Sequence, residues 1–286
     1  MDIGIQQLQL GRLLTSEKKS RMALEKVKTI GFGGIELNGF MIRKNPFIVK
    51  ILTSMSGMTI KKSDRLDWKK LLQETGLKVI SLHEDLGTLE KNPRLVLDEC
   101  HQLSTDLVVL TGNYRFAYSD ERKLKSYCAR LNEIGKTLSQ EGISFLYHNH
   151  NVETQRLDSG KLVFDEIMSL LDRRYVNFEL DTYWLSVSGM DVMKIMRELK
   201  DRIILHHICD NGKRRKGVDI TPIVKTGEIE CGKGCLNLED MILNDIRNHT
   251  RAVILEQHKN FVDGDVLKSA SLSFDFIKRI AKKQVL

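Results

Sequence analysis

The chain predicts an α/β protein, a single-domain closed (β/α)8 barrel, on three observations. Short apolar runs and amphipathic stretches alternate eight times along it, the order that a parallel barrel requires. Its 286 residues suit such a barrel, which takes roughly 250. Hydrophobic residues make up 41%, prolines number three and no low-complexity linker interrupts the chain, so 1–286 reads as one domain.

Residues 3–10 form the first predicted strand, and 20–30 an amphipathic helix stopped by Gly31. Strand two spans 34–37, with Glu36 near its end. A less readable segment, with Pro46 and a Met/Ser/Gly-rich patch at 54–58, precedes a helix over 64–75 that Gly76 closes. Strand three is 78–83, a helix follows over 93–103, strand four is 106–110, and a long helix over 120–140 ends at Gly142. Strand five is 143–150, then come a helix over 162–171, strand six at 176–181, a helix over 191–199 and strand seven at 203–207. After a long loop, a helix at 238–247, strand eight at 252–256 and a helix over 265–281 complete the pattern. Right-handed crossovers put every helix outside the barrel.

The amino terminus lacks the basic, apolar and small-residue order of a signal peptide, and no apolar run nears the roughly 20 residues that span a membrane. The expectation is a soluble cytoplasmic protein with no membrane partner. Five scattered cysteines argue against a disulfide framework, and Cys231 and Cys235 lack a second pair to complete a zinc site. Net charge is +7, but the basic residues are spread over helix surfaces apart from the run Lys213–Lys216, so no nucleic-acid partner is expected. A homo-oligomer is allowed and nothing specifies one. Gly232-Lys233-Gly234 lacks the strand and helix context of a phosphate loop.

The strand ends carry the chemistry. In ISFLYHNHNVE, residues 143–153, strand alternation puts Leu146, His148 and His150 on one side, with Tyr147 and Asn149 on the other. Three later apolar runs end the same way, in Asp181, in His207 and in Glu256. A parallel barrel gathers these carboxyl ends on one face, where chemistry usually sits because the interior below is packed. Imidazole or carboxylate on each of strands five to eight makes a mixed N/O set suited to a divalent transition metal.

At these residues the sequence resembles the xylose-isomerase-like TIM barrels, which include sugar epimerases, keto-inositol isomerases and dehydratases and, more distantly, endonuclease IV. The resemblance rests on GFGGIEL at 31–37, GLKVISLH at 76–83, FLYHNHNVE at 145–153, ELDTYW at 179–184, LHHICD at 205–210, ECGKG at 230–234 and VILEQ at 253–257. It implies one divalent ion, Mn²⁺ first and Zn²⁺, Co²⁺, Fe²⁺ or Mg²⁺ as alternatives, held by His148, Asp181, His207 and Glu256. His148 stands where the family commonly has glutamate, as in a subgroup with the same YHNH stretch. In the epimerases that glutamate moves a proton, so its replacement argues against a symmetrical two-glutamate epimerisation.

The resemblance implies a carbohydrate or polyol substrate. An ion that binds a carbonyl and an adjacent hydroxyl acidifies the neighbouring C–H and stabilises the enediolate. His150 or Glu256 is the expected base, and Glu153 orients a histidine or takes a ligand position. Glu36 and His83 are expected to bind substrate hydroxyls, with Trp184 as an apolar wall for a sugar face. His206 is expected to point into the barrel wall. Lys213–Lys216 follows strand seven, where such barrels often contact phosphate.

The leading expectation is a metal-dependent isomerase or epimerase of a keto-sugar or keto-polyol. A lyase or dehydratase on the same platform is the alternative, and His148 tilts towards it. An endonuclease-IV-like repair enzyme needs more ligands than these strand ends supply, and a non-catalytic binding protein is the remaining reading.

Overall fold

The computed structural model describes residues 1–45, 62–113, 116–212 and 227–283. The patch at 54–58, Pro46 and the run Lys213–Lys216 lie outside them. Strands β1 (Asp2–Gln6), β2 (Gly34–Asn38), β3 (Lys78–Glu84), β4 (Leu107–Leu110), β5 (Ser144–His148), β6 (Val176–Asp181) and β7 (Ile203–Ile208) precede a two-stranded ribbon, β8 (Asp210–Asn211) with β9 (Glu228–Ile229), and then β10 (Ala252–Leu255). The strands β1 to β7 and β10 close into a parallel barrel, with β10 between β7 and β1.

The sequence places the helices by ordinary capping. Ser16 accepts from the Lys19 amide at the start of Glu17–Ile30, and Asp67, Asp120, Asp191 and Asp265 cap later helices in the same way. Gly34 shows how closely β2 and β3 approach. A Cβ there would lie 2.6 Å from the Lys78 carbonyl oxygen, so only glycine fits.

Some predicted boundaries move. The first strand stops at Gln6, whose side chain accepts from the Leu8 amide and turns 7–10 into a 3-10 segment. Strand five stops at His148, and Asn149 then pairs through its side chain with the Asp181 amide and carbonyl at 2.9 and 3.0 Å. Among the helices absent from the prediction, Leu86–Lys91 and Thr182–Val187 follow β3 and β6 directly, each capped by an aspartate.

Most apolar side chains pack between the barrel and its helices. A second cluster, Leu107, Val109, Leu146, Leu205, Ala252 and Ile254, fills the barrel itself. Along β5, β7 and β10 the next inward positions are His148, His207 and Glu256. The interior therefore changes from apolar to charged within two residues of each strand. Among the described residues, no helix is long and apolar enough to cross a membrane.

Candidate active site

The charged end of the barrel has two tiers. In the lower tier one oxygen of Glu179, Oε2, lies 2.7 Å from His83 Nε2, 2.8 Å from His148 Nδ1 and 3.3 Å from His207 Nε2. Glu36 Oε1 lies 2.6 Å from His207 Nε2 and 3.0 Å from His83 Nε2, and accepts from Gln6 Nε2 at 3.1 Å. Ser81 donates to the other Glu36 oxygen. In the upper tier His207 Nδ1 faces Glu256 Oε2 at 3.2 Å, and His148 Nε2 faces Asp181 Oδ2 at 4.0 Å.

Spacing separates the tiers. Ligand atoms about 2.1 Å from a shared ion stand about 3.0 Å apart at a right angle and about 4.2 Å apart when opposite. The upper contacts fall in that window, whereas the closest lower contacts have the lengths of charge-assisted hydrogen bonds. Donor atoms of Asp181, His207 and Glu256 all lie within 4.8 Å of one another. Those of His83, His148, Glu179 and His207 make a second such group. Of the four expected ligands, three are thus gathered together, while His148 belongs to the other group and stands with its Nε2 4.0 Å from Asp181.

Backbone architecture fixes these side chains. Asp181 Oδ1 caps the helix that follows it, accepting from the Tyr183 and Trp184 amides at 3.0 and 3.3 Å. A register shift between β6 and β7 sets Glu179 level with Leu205 and Asp181 level with His207. Both carboxylates then share the inward face of β6.

Charge sorts the histidines. Burial opposes protonation of His207, but Glu179, Glu36 and Glu256 outweigh it and hold the imidazole protonated well above its usual range. His83 behaves alike, raised to about 10 against its burial by Glu36 and Glu179. Burial, then the neighbouring charges of His207 and His83, push His148 well down and keep it neutral. Burial works against ionisation of Glu179, yet His207 and His83 bring it below the usual carboxylate range.

The remaining expected residues divide. His150 stands beside the upper tier, its ring centroid 4.7 Å from that of His148 and 6.1 Å from that of Trp184. Glu153 does not reach the mouth: its carboxylate accepts from the Tyr147 hydroxyl at 2.8 Å, the Tyr118 hydroxyl at 3.3 Å and the His150 amide at 2.9 Å. It holds the His150 backbone from the outer side of β5, where Tyr147 points, and supplies no ligand atom. Glu36 and His83 sit in the lower tier, held by the contacts above. Trp184 is 2% exposed and packs with Tyr183, Val187 and Cys209, so it borders His150 and offers little free surface for a sugar. His206 binds Asp245 at 2.6 Å and Thr182 at 2.9 Å in the barrel wall.

Three residues escaped the sequence reading. Glu179 was legible, because it precedes Asp181 by two on the same strand and must share its face. His258, whose Nε2 lies 3.3 Å from Glu256 Oε1, follows the end of β10 and has no strand period to place it. Asp210 accepts from the amides of Gly232, Gly234 and Leu236 at 2.9 to 3.0 Å, so the glycine turn closes on the chain's own carboxylate. At the opposite end of the barrel a cavity of about 700 Å³ is lined in part by Asp2, Lys78, Asp106 and Arg251. Arg251 and Asp106 pair with each other there, and the cluster of ligand-type residues lies at the other end.

A family model described as xylose isomerase-like TIM barrel matches residues 24–271. The chain belongs to that family. An inosose dehydratase of Clostridium beijerinckii is 22% identical over 278 residues, covering 93% of this chain and 91% of that protein. A Parabacteroides distasonis crystal structure described as a sugar phosphate isomerase/epimerase superposes with a TM-score of 0.72 at 21% identity, covering 96% of each chain. A family member from Mycobacterium smegmatis, described in complex with magnesium, gives 0.67 at 14% identity over 100% of this chain and 98% of that one. At these identities the structural likenesses establish the fold alone. Enzymes among the relatives of this xylose isomerase-like chain support reading it as an enzyme.

Proposed function

We propose that this chain is a divalent-metal-dependent enzyme that removes the proton next to the carbonyl of a keto-polyol or keto-sugar. The observation that carries the reading is the gathering of Asp181, His207 and Glu256 within 4.8 Å at the ends of three successive barrel strands. His148 Nε2, 4.0 Å from Asp181, is the fourth donor. Two carboxylates with two imidazoles suit Mn²⁺, with Zn²⁺, Co²⁺, Fe²⁺ and Mg²⁺ as alternatives. The ion would polarise the substrate carbonyl and an adjacent hydroxyl.

His150 is the base. It stands beside the donor group without belonging to it, and Glu153 fixes its backbone. Its imidazole takes the proton, and the C–H electron pair forms the new double bond. In the elimination outcome, the C–O bond to the hydroxyl on the next carbon breaks with its electron pair going to oxygen, and the proton that His150 took is returned to complete the departing water. We place elimination first, because the Clostridium beijerinckii relative that covers nearly the whole chain is an inosose dehydratase, and because a histidine replaces one of the family's proton-moving glutamates. Isomerisation or epimerisation shares the proton-abstraction step and is the second reading, supported by the description of the Parabacteroides neighbour.

A screen of keto-inositols, keto-sugars and 3-keto-glycosides with Mn²⁺, followed by NMR, tests this. Loss of water or of an aglycone supports elimination, and a rearranged sugar supports isomerisation. Turnover that survives complete removal of metal would overturn the reading.

A further inference from the structure

Glu179 lies beneath the donor group and touches two of its histidines at once. Its Oε2 lies 2.8 Å from Nδ1 of His148 and 3.3 Å from Nε2 of His207. Each imidazole therefore has one nitrogen turned down to this carboxylate. The other nitrogen of each faces the upper tier: His148 Nε2 towards Asp181 at 4.0 Å, and His207 Nδ1 towards Glu256 at 3.2 Å. The two histidines thus present different nitrogens to the mouth, and a carboxylate can only accept at the nitrogens it faces. We infer that Glu179 is a positioning residue that fixes His148 as the Nδ1–H tautomer and His207 as the Nε2–H tautomer, leaving Nε2 and Nδ1 respectively for the ion. This inference rests on the metal reading above.

Physical chemistry gives Glu179 this role rather than that of a ligand. Its contacts to His83 and His148, at 2.7 and 2.8 Å, are direct hydrogen bonds, closer than two atoms sharing an ion would stand. A carboxylate that accepts the second N–H of a metal-bound histidine orients the ring and raises its basicity, and losing such a partner typically weakens metal binding about 10- to 100-fold. Here one buried oxygen serves both rings. At 2.6 Å Glu36 is the nearer acceptor for His207 Nε2, so Glu179 shares that ring's orientation with it and holds His148 by itself.

The test uses the whole chain with Co²⁺ as probe, whose visible bands report ligand number and geometry. Glu179→Gln should bind Co²⁺ about 10- to 100-fold more weakly, with altered bands and an unchanged circular-dichroism spectrum. The amide oxygen can stand where Oε2 does, but it carries no charge and so accepts more weakly from both rings. His83→Ala should stay within a few-fold of wild-type affinity, because His83 turns its Nε2 to Glu179 and Glu36 and only packs its ring against those of His148 and His207. In wild-type protein loaded with Zn²⁺, histidine ¹⁵N spectra should show His148 protonated at Nδ1 and His207 at Nε2, a readout that needs no variant to fold. The opposite tautomers would overturn the inference, as would wild-type Co²⁺ affinity in Glu179→Gln. Abolition of binding by His83→Ala would move the ion to the lower tier and overturn it too. If Asp181→Asn loses Co²⁺ while Glu179→Gln does not, this inference fails alone. Wild-type protein that binds no Co²⁺ removes the metal reading and this inference with it.

Discussion

The two halves of the barrel interior differ more than their shared strands suggest. On β5, β7 and β10 the lower inward residues are Leu146, Leu205 and Ile254, all fully buried in one apolar cluster. Two residues further on, the same strands supply His148, His207 and Glu256, buried among other charges. Burying apolar side chains stabilises the fold, whereas burying ions is costly even when they are paired. The first half thus accounts for stability, and the second accounts for chemistry. Mutations should separate them.

The largest effect expected is at Asp181. Asp181→Asn keeps a side chain that can still cap the helix Thr182–Val187 but loses the charge, so it should lose stoichiometric metal while circular dichroism shows an intact barrel. Metal retained at one ion per chain would dissolve the contrast. Leu205→Ala should do the reverse, lowering stability by about 2–5 kcal/mol in denaturant melts and leaving metal affinity near wild type.

A smaller effect comes from pH. The metal-free His207 is held protonated by Glu179, Glu36 and Glu256 despite burial, so an ion that takes its nitrogen must displace a proton. Rising pH therefore strengthens binding, by about tenfold per unit below the raised pKa if one proton leaves. Calorimetry in buffers of different ionisation enthalpy counts the proton. A binding constant that is flat with pH would contradict the assignment. The smallest effect belongs to the far end of the barrel. Arg251→Ala breaks an ion pair whose side chains are half exposed, so stability should change by about 1 kcal/mol or less, with metal binding untouched.

The barrel was legible because its signals are local. Apolar runs alternate with amphipathic ones, and capping residues such as Asp120 and Asp191 stand in the sequence where the helices begin. The inward set at the mouth was legible wherever strand period applied, as for His148, Asp181 and His207, and the same period would have placed Glu179. Where the strand ends, the rule stops. Glu153 lies three residues beyond the turn at His150, and its engagement with Tyr118 and Tyr147 depends on a chain segment 35 residues away in sequence. The depth of Glu36 and His83 was likewise invisible, because it depends on how β2 and β3 lean against β7 and β6 across the closed barrel.

The most direct test of the account is solvent-deuterium exchange at the carbon next to the carbonyl of a keto-inositol or of whichever keto-substrate the screen returns, followed by NMR. It reports proton abstraction whichever product follows. Wild-type protein with Mn²⁺ should exchange that proton, and His150→Ala should retain its metal and exchange about 10²- to 10⁴-fold more slowly. Exchange at the wild-type rate in His150→Ala would contradict the assignment of the base and leave Glu256 as the acid–base group at the mouth.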